Sequence, residues 1–348
     1  MHFFHVISNL EMKNTKYFIF FGLLLLAVVV LFVFSLMYGS VSIPFESVTA
    51  ALNDNPEVKK SWLFIVQEVR FPKAITAIVA GGGLALSGLL MQTLFRNPLA
   101  GPYVLGISNG ASLGVALLVL SGGSFLGFQA DSSWAMILMA IGGSGIVLAM
   151  VLAVSARVQD NLSLLIIGIM IGSITGAVVS VLQFYSNPED IQAYLVWTFG
   201  SLSGVTWDQL TILVPVVLIG VFLAFISQKK LNTLLLGNQY AQGLGISVKQ
   251  TRITIILATC LMAGGVTAFA GPIAFLGLAV PHIARAILQT SDHKILIPAV
   301  VLIGAVLLLI CDIVAQLPGN QNTLPLNAVT AMIGAPVVIW VVLKSKMN

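Results

Sequence analysis

The chain has 348 residues, 58% of them hydrophobic and only 8% charged, with a formal net charge of +4. Soluble domains carry roughly 25% charged residues, so the composition excludes a soluble globular protein and requires repeated membrane crossings. The basic excess then marks loop topology rather than nucleic-acid binding. The two cysteines, Cys260 and Cys311, fall inside apolar runs as buried free thiols, and the four histidines show no metal-ligand spacing.

In chain order, Lys13 and Lys16 precede the first apolar run, Tyr17 to Tyr38. That run is too long for a signal-peptide core and no small-residue cleavage site follows, so it predicts an uncleaved span. Residues 1–16 form a cytoplasmic N-terminus, with 1–11 a dispensable extension before Met12. Further charge-free runs, each able to cross ~30 Å of hydrocarbon, predict spans at about 74–92, 103–121, 134–156, 163–184, 208–227, 252–270, 273–289, 295–316 and 325–343. Gly271-Pro272 splits the seventh from the eighth, because proline removes a backbone donor and disfavours helix just before it. Segment 185–207, with Tyr185, Pro188, Tyr194, Trp197 and Trp207, predicts a short helix at the outer interface.

The expected fold is therefore an all-α polytopic membrane protein, a single transmembrane domain over 1–348. With the N-terminus inside, ten spans return the C-terminus to the cytoplasm. Of the sixteen Lys and Arg, only Lys59, Lys60, Arg70 and Lys73 then lie outside, as the positive-inside rule requires. The acidic residues Glu46, Asp54, Glu57, Glu68, Asp131, Glu189, Asp190 and Asp208 all fall outside. Ala100-Gly101-Pro102 with Leu105-Gly106 on the inner side echoes Ala270-Gly271-Pro272 with Leu276-Gly277 on the outer side, which is the mark of two inverted halves.

Other motifs are weighed by their chemistry. Gly106-Ile107-Ser108-Asn109-Gly110 has the form of a nucleophile elbow, but that chemistry needs a strand-turn-helix, a histidine base and an acid. His282 is read as the one membrane histidine and Asp312 as the one acid clearly within a span. Gly168, Gly172 and Gly176 form a small-residue stripe for helix packing, and Ser173, Thr175, Ser180 and Gln183 give the same helix a polar side. Leu234-Leu235-Leu236 in the inner loop 228–250, cut by Gly237, Gly243 and Gly245, suggests short amphipathic pieces seated on a partner. No Gly-Lys pair occurs, so the chain has no P-loop for ATP.

Two stretches carry a family resemblance. One runs from Arg70-Phe71-Pro72-Lys73 through Gly81-Gly82-Gly83, Ser87-Gly88, Met91-Gln92 and Arg96-Asn97-Pro98-Leu99-Ala100 to Leu105–Ser112. The other runs from Ala270-Gly271-Pro272-Ile273 through Leu276-Gly277-Leu278 to Pro281-His282-Ile283-Ala284-Arg285. Together they resemble the FecCD family, permeases of ABC importers for iron-siderophore complexes, haem and vitamin B12. The resemblance implies a homodimer of ten-helix subunits in the bacterial inner membrane. It also implies two ABC ATPase subunits that bind ATP, and an extracytoplasmic binding protein. The chain itself is then a non-catalytic transport subunit with no cofactor of its own, and its other contacts are membrane lipid.

By the same resemblance, Arg70 and Lys73 dock the binding protein, where interfacial snorkelling is the plainer alternative. Leu236, Gly237, Ala241, Leu244 and Gly245 belong to the element that couples to the ATPase. Gly172, Ser173, Gly176, Ser180 and Gln183, with Asn327 and Thr330, line the translocation pathway. Departures from the family pattern are Lys73 and Gln316 where arginine is usual, Asn238 where an acid is common, and the polar insert Pro318–Asn322. Ferric siderophore is the expected substrate, with vitamin B12 or haem as alternatives. An ion-coupled secondary transporter would need more ionisable residues at depth than the spans offer.

Overall fold

The computed structural model describes residues 2–53, 55, 58–130, 132–158, 160–316 and 323–347. The insert at Pro318–Asn322 and the acids Asp54, Glu57 and Asp131 lie outside the described residues. The helices are α1 (His2–Met37), α2 (Phe45–Leu52), α3 (Lys60–Phe64), α4 (Phe71–Phe95), α5 (Ile107–Val119), α6 (Ser133–Arg157), α7 (Asn161–Tyr185) and α8 (Pro188–Thr198). They continue as α9 (Trp207–Ile226), α10 (Gln228–Leu235), α11 (Asn238–Gly243), α12 (Val248–Thr259), α13 (Gly265–Ala270), α14 (Leu276–Leu288), α15 (His293–Ala315) and α16 (Leu326–Met347). Single π-helical stretches, Ile65–Arg70 and Cys260–Gly264, join α3 to α4 and α12 to α13 as continuous rods. A two-residue hairpin, Ser124–Phe125 with Phe128–Gln129, follows α5.

Helices are the only option for these apolar runs, because backbone groups in hydrocarbon must bond within their own segment. Polar residues at the ends set the boundaries. Ser132, Asp160, Ser247 and Asp292 cap α6, α7, α12 and α15 by accepting backbone N–H groups, and Thr206 with Gln209 makes a capping box on α9.

Among the described residues, ten apolar helices stand where ten spans are expected: α1, α4, α5, α6, α7, α9, α12–α13, α14, α15 and α16, seven of them long and apolar enough to cross a membrane. The difference lies in α5 and α14, with 13 residues each. At 1.5 Å per residue they reach about 20 Å, short of the ~30 Å core. The apolar run 103–121 is not one helix. Pro102–Leu105 forms a 3-10 turn, and Gly106, at φ +76°, stops it before α5 starts.

The two short helices occupy corresponding places, each the third of five. The loop 96–106 enters α5 from the end of the bundle that carries α10 and α11. The loop 271–275 enters α14 from the opposite end, beside α8, where Ser201 N–H bonds the carbonyl of Ala270. The loops meet inside the protein. Tyr103 Oη donates to the carbonyl of Ile273 at 3.0 Å, and Pro102 packs against Gly277. The echoed Gly-Pro segments are thus the two re-entrant turns of an inverted repeat.

The core is built around α4, most of which is buried from Pro72 to Phe95. Glycines bring its backbone against its neighbours: Gly81 meets Gly304 of α15, and Gly88 meets Gly277 of α14, each with no room for a Cβ. Close backbone approach of this kind is how helices gain packing energy where no hydrophobic effect separates them from lipid.

Candidate functional site

Three groups of residues carry the candidate function. The first lies at the α8 end. Lys73 Nζ sits 3.0 Å from Asp312 Oδ2, with the side chains 3% and 7% exposed, so α4 and α15 are joined by a buried ion pair. Gln316 Nε2 donates to the same carboxylate oxygen at 2.9 Å. Arg70 donates to the carbonyls of Leu36 (2.8 Å), Met37 (2.9 Å) and Val41, satisfying the end of α1. The π stretch turns Arg70 toward α1. In that register the carbonyl of Gln67 would pair with residue 72, a proline without N–H; it accepts from Trp207 Nε1 instead, at 3.0 Å.

Both cations are expected at the surface, to dock a partner or to snorkel. The structure buries them, because one neutralises Asp312 and the other caps α1. Neither presents its charge outward in this conformation. Asp312, read from the sequence as the one acid clearly within a span, has Lys73 as its partner. A lone acid within one span and a lone base at the end of another, at the same side of the bundle, was the available signal.

The second group is the small-residue stripe of α7. It divides between two faces. Gly168 packs on Val104 and Leu105 of the 3-10 turn, and Gly172 on Gly106 and on Asn109 of α5, whose Nδ2 donates to the carbonyl of Gly172 at 2.9 Å. Gly176 has nothing within 4 Å of an added Cβ. It shares an uncovered face with Ser173 and Ser180, whose hydroxyls return to their own helix carbonyls. Gln183 is half-buried. On α16, Asn327 Oδ1 accepts the Ala274 N–H at 3.0 Å, holding the α14 re-entrant loop. Thr330 is buried and bonds the carbonyl of Asn327. Ser108 lies buried in the first turn of α5, preceded by a 3-10 turn, so the strand-turn-helix of a nucleophile elbow is not formed.

The third group lies at the α10 end. Leu231, Leu234 and Ala241 are buried and seat α10 and α11 on the bundle. Leu235, Leu236, Tyr240 and Leu244 point away, the last three 63%, 72% and 67% exposed. Gly237 (φ +122°) and Gly245 (φ +79°) make the turns that separate these short pieces. Arg96, itself in the left-handed region at the end of α4, donates through Nε to the carbonyl of Leu234 and through Nη2 to Asn238 Oδ1, each at 3.1 Å. Asn238, where the family pattern has an acid, therefore accepts a hydrogen bond from a guanidinium.

Sequence reasoning missed His293 as a second buried histidine. It is 1% exposed at the first turn of α15 and touches Thr93 and Asn232. His282, on α14, bonds the carbonyl of Pro98 at 2.8 Å. His293 stands at a span end, where polar residues read as loop punctuation, which is why the sequence did not single it out. Beside this network the Asp292 carboxyl is held below the usual carboxylate range by the Lys294 N–H and the Asn232 amide. Among the described residues no cluster of His, Cys, Asp and Glu could hold a metal ion.

The sequence model described as the FecCD transport family matches residues 25–344. The vitamin B12 import system permease protein BtuC of Klebsiella pneumoniae is 36% identical over 340 residues, covering 98% of this chain and 97% of that protein. The protein of the same name from Salmonella typhi is 38% identical over 280 residues, covering 80% and 84%. A solved structure described as a metal-chelate type ABC transporter in an inward-facing conformation superposes with a TM-score of 0.81 at 28% identity, over 93% of this chain and 99% of that one. A match that spans both inverted halves and all ten apolar helices leaves one assignment: the chain is a multi-pass integral membrane protein of the FecCD transport family.

Proposed function

We propose that the chain is the membrane permease of an ATP-driven importer that carries a metal chelate or corrinoid inward by alternating access. The observation that carries the reading is the α10–α11 surface. Leu236, Tyr240 and Leu244 hold their apolar faces away from the bundle at one end, on helices too short to enter a bilayer. Such a surface needs a protein partner, and a chain without a P-loop needs an ATPase. The positive-inside rule puts this end in the cytoplasm of a bacterial inner membrane, with both chain ends on that side and α8 outside. Leu236, Gly237, Ala241, Leu244 and Gly245 are then the element on which ATPase closure acts.

A second copy of the chain would cover the open face of α7, so that Ser173, Gly176 and Ser180 meet their counterparts around a central path. Asn327 would position the α14 loop at the mouth of that path. ATP binding favours one arrangement of the ATPases, and its differential affinity shifts the permease between outward- and inward-open states. A binding protein would deliver ligand at the α8 end. Because Arg70 and Lys73 are buried, docking there relies on other groups or on opening of the ion pair.

Ferric siderophore is the sequence expectation. The names of the relatives favour vitamin B12 as the cargo. ATP-dependent uptake into proteoliposomes, with the co-encoded ATPase and binding protein and with labelled cobalamin, ferric siderophore and haem offered separately, decides between them. Uptake of one ligand that stops when the ATPase is omitted supports the reading; no ATP-dependent uptake by an assembled complex refutes it.

A further inference from the structure

The last turn of α4 grips α10 at two points. Arg96, just past that turn, holds the start of α11 through Asn238 and the C-terminal end of α10 through the Leu234 carbonyl. Thr93, one turn back, reaches its middle through a histidine. The order of donors in that second contact follows from chemistry. The Asp292 carboxylate only accepts, so it takes the Asn232 amide N–H at 2.7 Å and turns the amide oxygen of Asn232 toward His293. That oxygen accepts the backbone N–H of His293 at 2.9 Å and its ring Nδ1–H at 2.7 Å. The Nδ1–H tautomer leaves Nε2 as an acceptor 2.8 Å from the Thr93 hydroxyl, whose single proton is shared between Nε2 and the Leu89 carbonyl, also 2.8 Å away.

α4 in turn holds α14. Gln92, beside Thr93, donates through Nε2 to the Leu278 carbonyl at 3.3 Å, and its Oε1 accepts from Arg285. Gly88 lies against the backbone of Gly277. The start of α14 is the re-entrant loop that Tyr103 and Asn327 bind. One unbroken set of contacts therefore runs from the exposed α10–α11 surface, through the last turn of α4, to the loop in the middle of the bundle.

We infer that Asn232, His293 and Thr93 are positioning residues that transmit displacement of α10 to α4 and α14, and so couple the ATPase to the translocation path. The inference rests on the importer reading. All three side chains lie where α10, α4 and α15 converge, and none faces the open surface that an ATPase would touch. Removing them loosens the joint without altering the docking surface.

The test uses two readouts on His293→Ala, Asn232→Ala and His293→Gln. In the isolated full chain, amide hydrogen exchange of residues 228–235 should quicken about tenfold in both alanine variants, the factor expected from losing one or two buried hydrogen bonds. Exchange in α6 and α7 should not change. In the reconstituted complex the alanine variants should keep ATP hydrolysis within about twofold, while ligand taken up per ATP falls about tenfold. His293→Gln, whose amide can donate to Asn232 and accept from Thr93, should restore at least half of that ratio. Unchanged exchange of α10 overturns the joint. An unchanged uptake-to-hydrolysis ratio, or loss of both activities in proportion, overturns the transmission role. Absence of ATP-driven uptake by the unmodified complex instead overturns the importer reading and the transmission role with it, while the exchange result still decides the joint.

Discussion

The buried pair Lys73–Asp312 gives the sharpest test of how α4 and α15 are held together at the α8 end of the bundle. At 3.0 Å, with the effective dielectric of about 20 that suits protein sites, the gross attraction is roughly 5 kcal/mol. Most of that is offset by desolvation, so the pair adds little over a well-packed apolar substitute. Losing one partner is different, because the other charge stays buried. Asp312→Leu should cost about 3–5 kcal/mol, Lys73→Leu a similar amount, and the double Leu variant less than either. Gln316 cannot rescue a bare ammonium fully, since Asp312 Oδ2 is what it bonds. The buried thiols of Cys260 and Cys311 are ready reporters: a thiol-reactive dye in detergent follows their exposure on heating. For a chain of this length a loss of about 4 kcal/mol lowers the midpoint by roughly 5 °C. Single variants that shift the midpoint by less than 1 °C, or a double variant whose shift equals the sum of the singles, would refute the reasoning.

Glycine replacements should separate packing from the open face of α7. Gly88→Ala drives a methyl into the backbone of Gly277 and should abolish recovery of folded protein, whereas Gly176→Ala meets no neighbour and should leave the thermal midpoint within about 1 kcal/mol equivalent. Gly176→Leu should leave that midpoint intact yet shift the chain from dimer to monomer in light scattering, if a second copy covers this face. Leu236→Asp and Leu244→Asp, exposed in the chain, should fold normally but fail to copurify with the ATPase; retained copurification argues for a different docking surface. The Asp292 carboxyl has a folded pKa below its unfolded value near 4. Its contribution is therefore complete above about pH 4 and lost as pH falls through the folded value. Exchange of residues 228–235 should accelerate there, and Asp292→Asn should show the fast exchange already at neutral pH.

Much of the architecture was legible because a membrane imposes simple rules. Length and apolarity locate ten helices, and the Gly-Pro echoes at 101–102 and 271–272 announce an inversion. The same rules misjudged α5, since hydropathy does not distinguish a full span from a half-length helix reached by a re-entrant loop. Gly106, with its positive φ, marks the boundary that composition hides. The charges Arg70 and Lys73 lie within the packing of the subunit, one on the end of α1 and the other on Asp312. A sequence gives the depth of a charge; whether that charge faces water or a carboxylate depends on which helix packs beside it.

The sequence by itself determined that the chain spans a membrane, how many apolar segments it has, and that it contains no Gly-Lys pair of a P-loop, because these follow from one-dimensional counts of polarity and from a motif search. Only the tertiary structure decided that Lys73 belongs to Asp312, that the two Gly-Pro loops touch through Tyr103 and Ile273, and that Asn232, His293 and Thr93 form one joint. Those pairings link residues up to 239 positions apart, such as Lys73 and Asp312. They are set by which helix surfaces are small enough to approach, as at Gly81–Gly304 and Gly88–Gly277, and no local pattern encodes that choice.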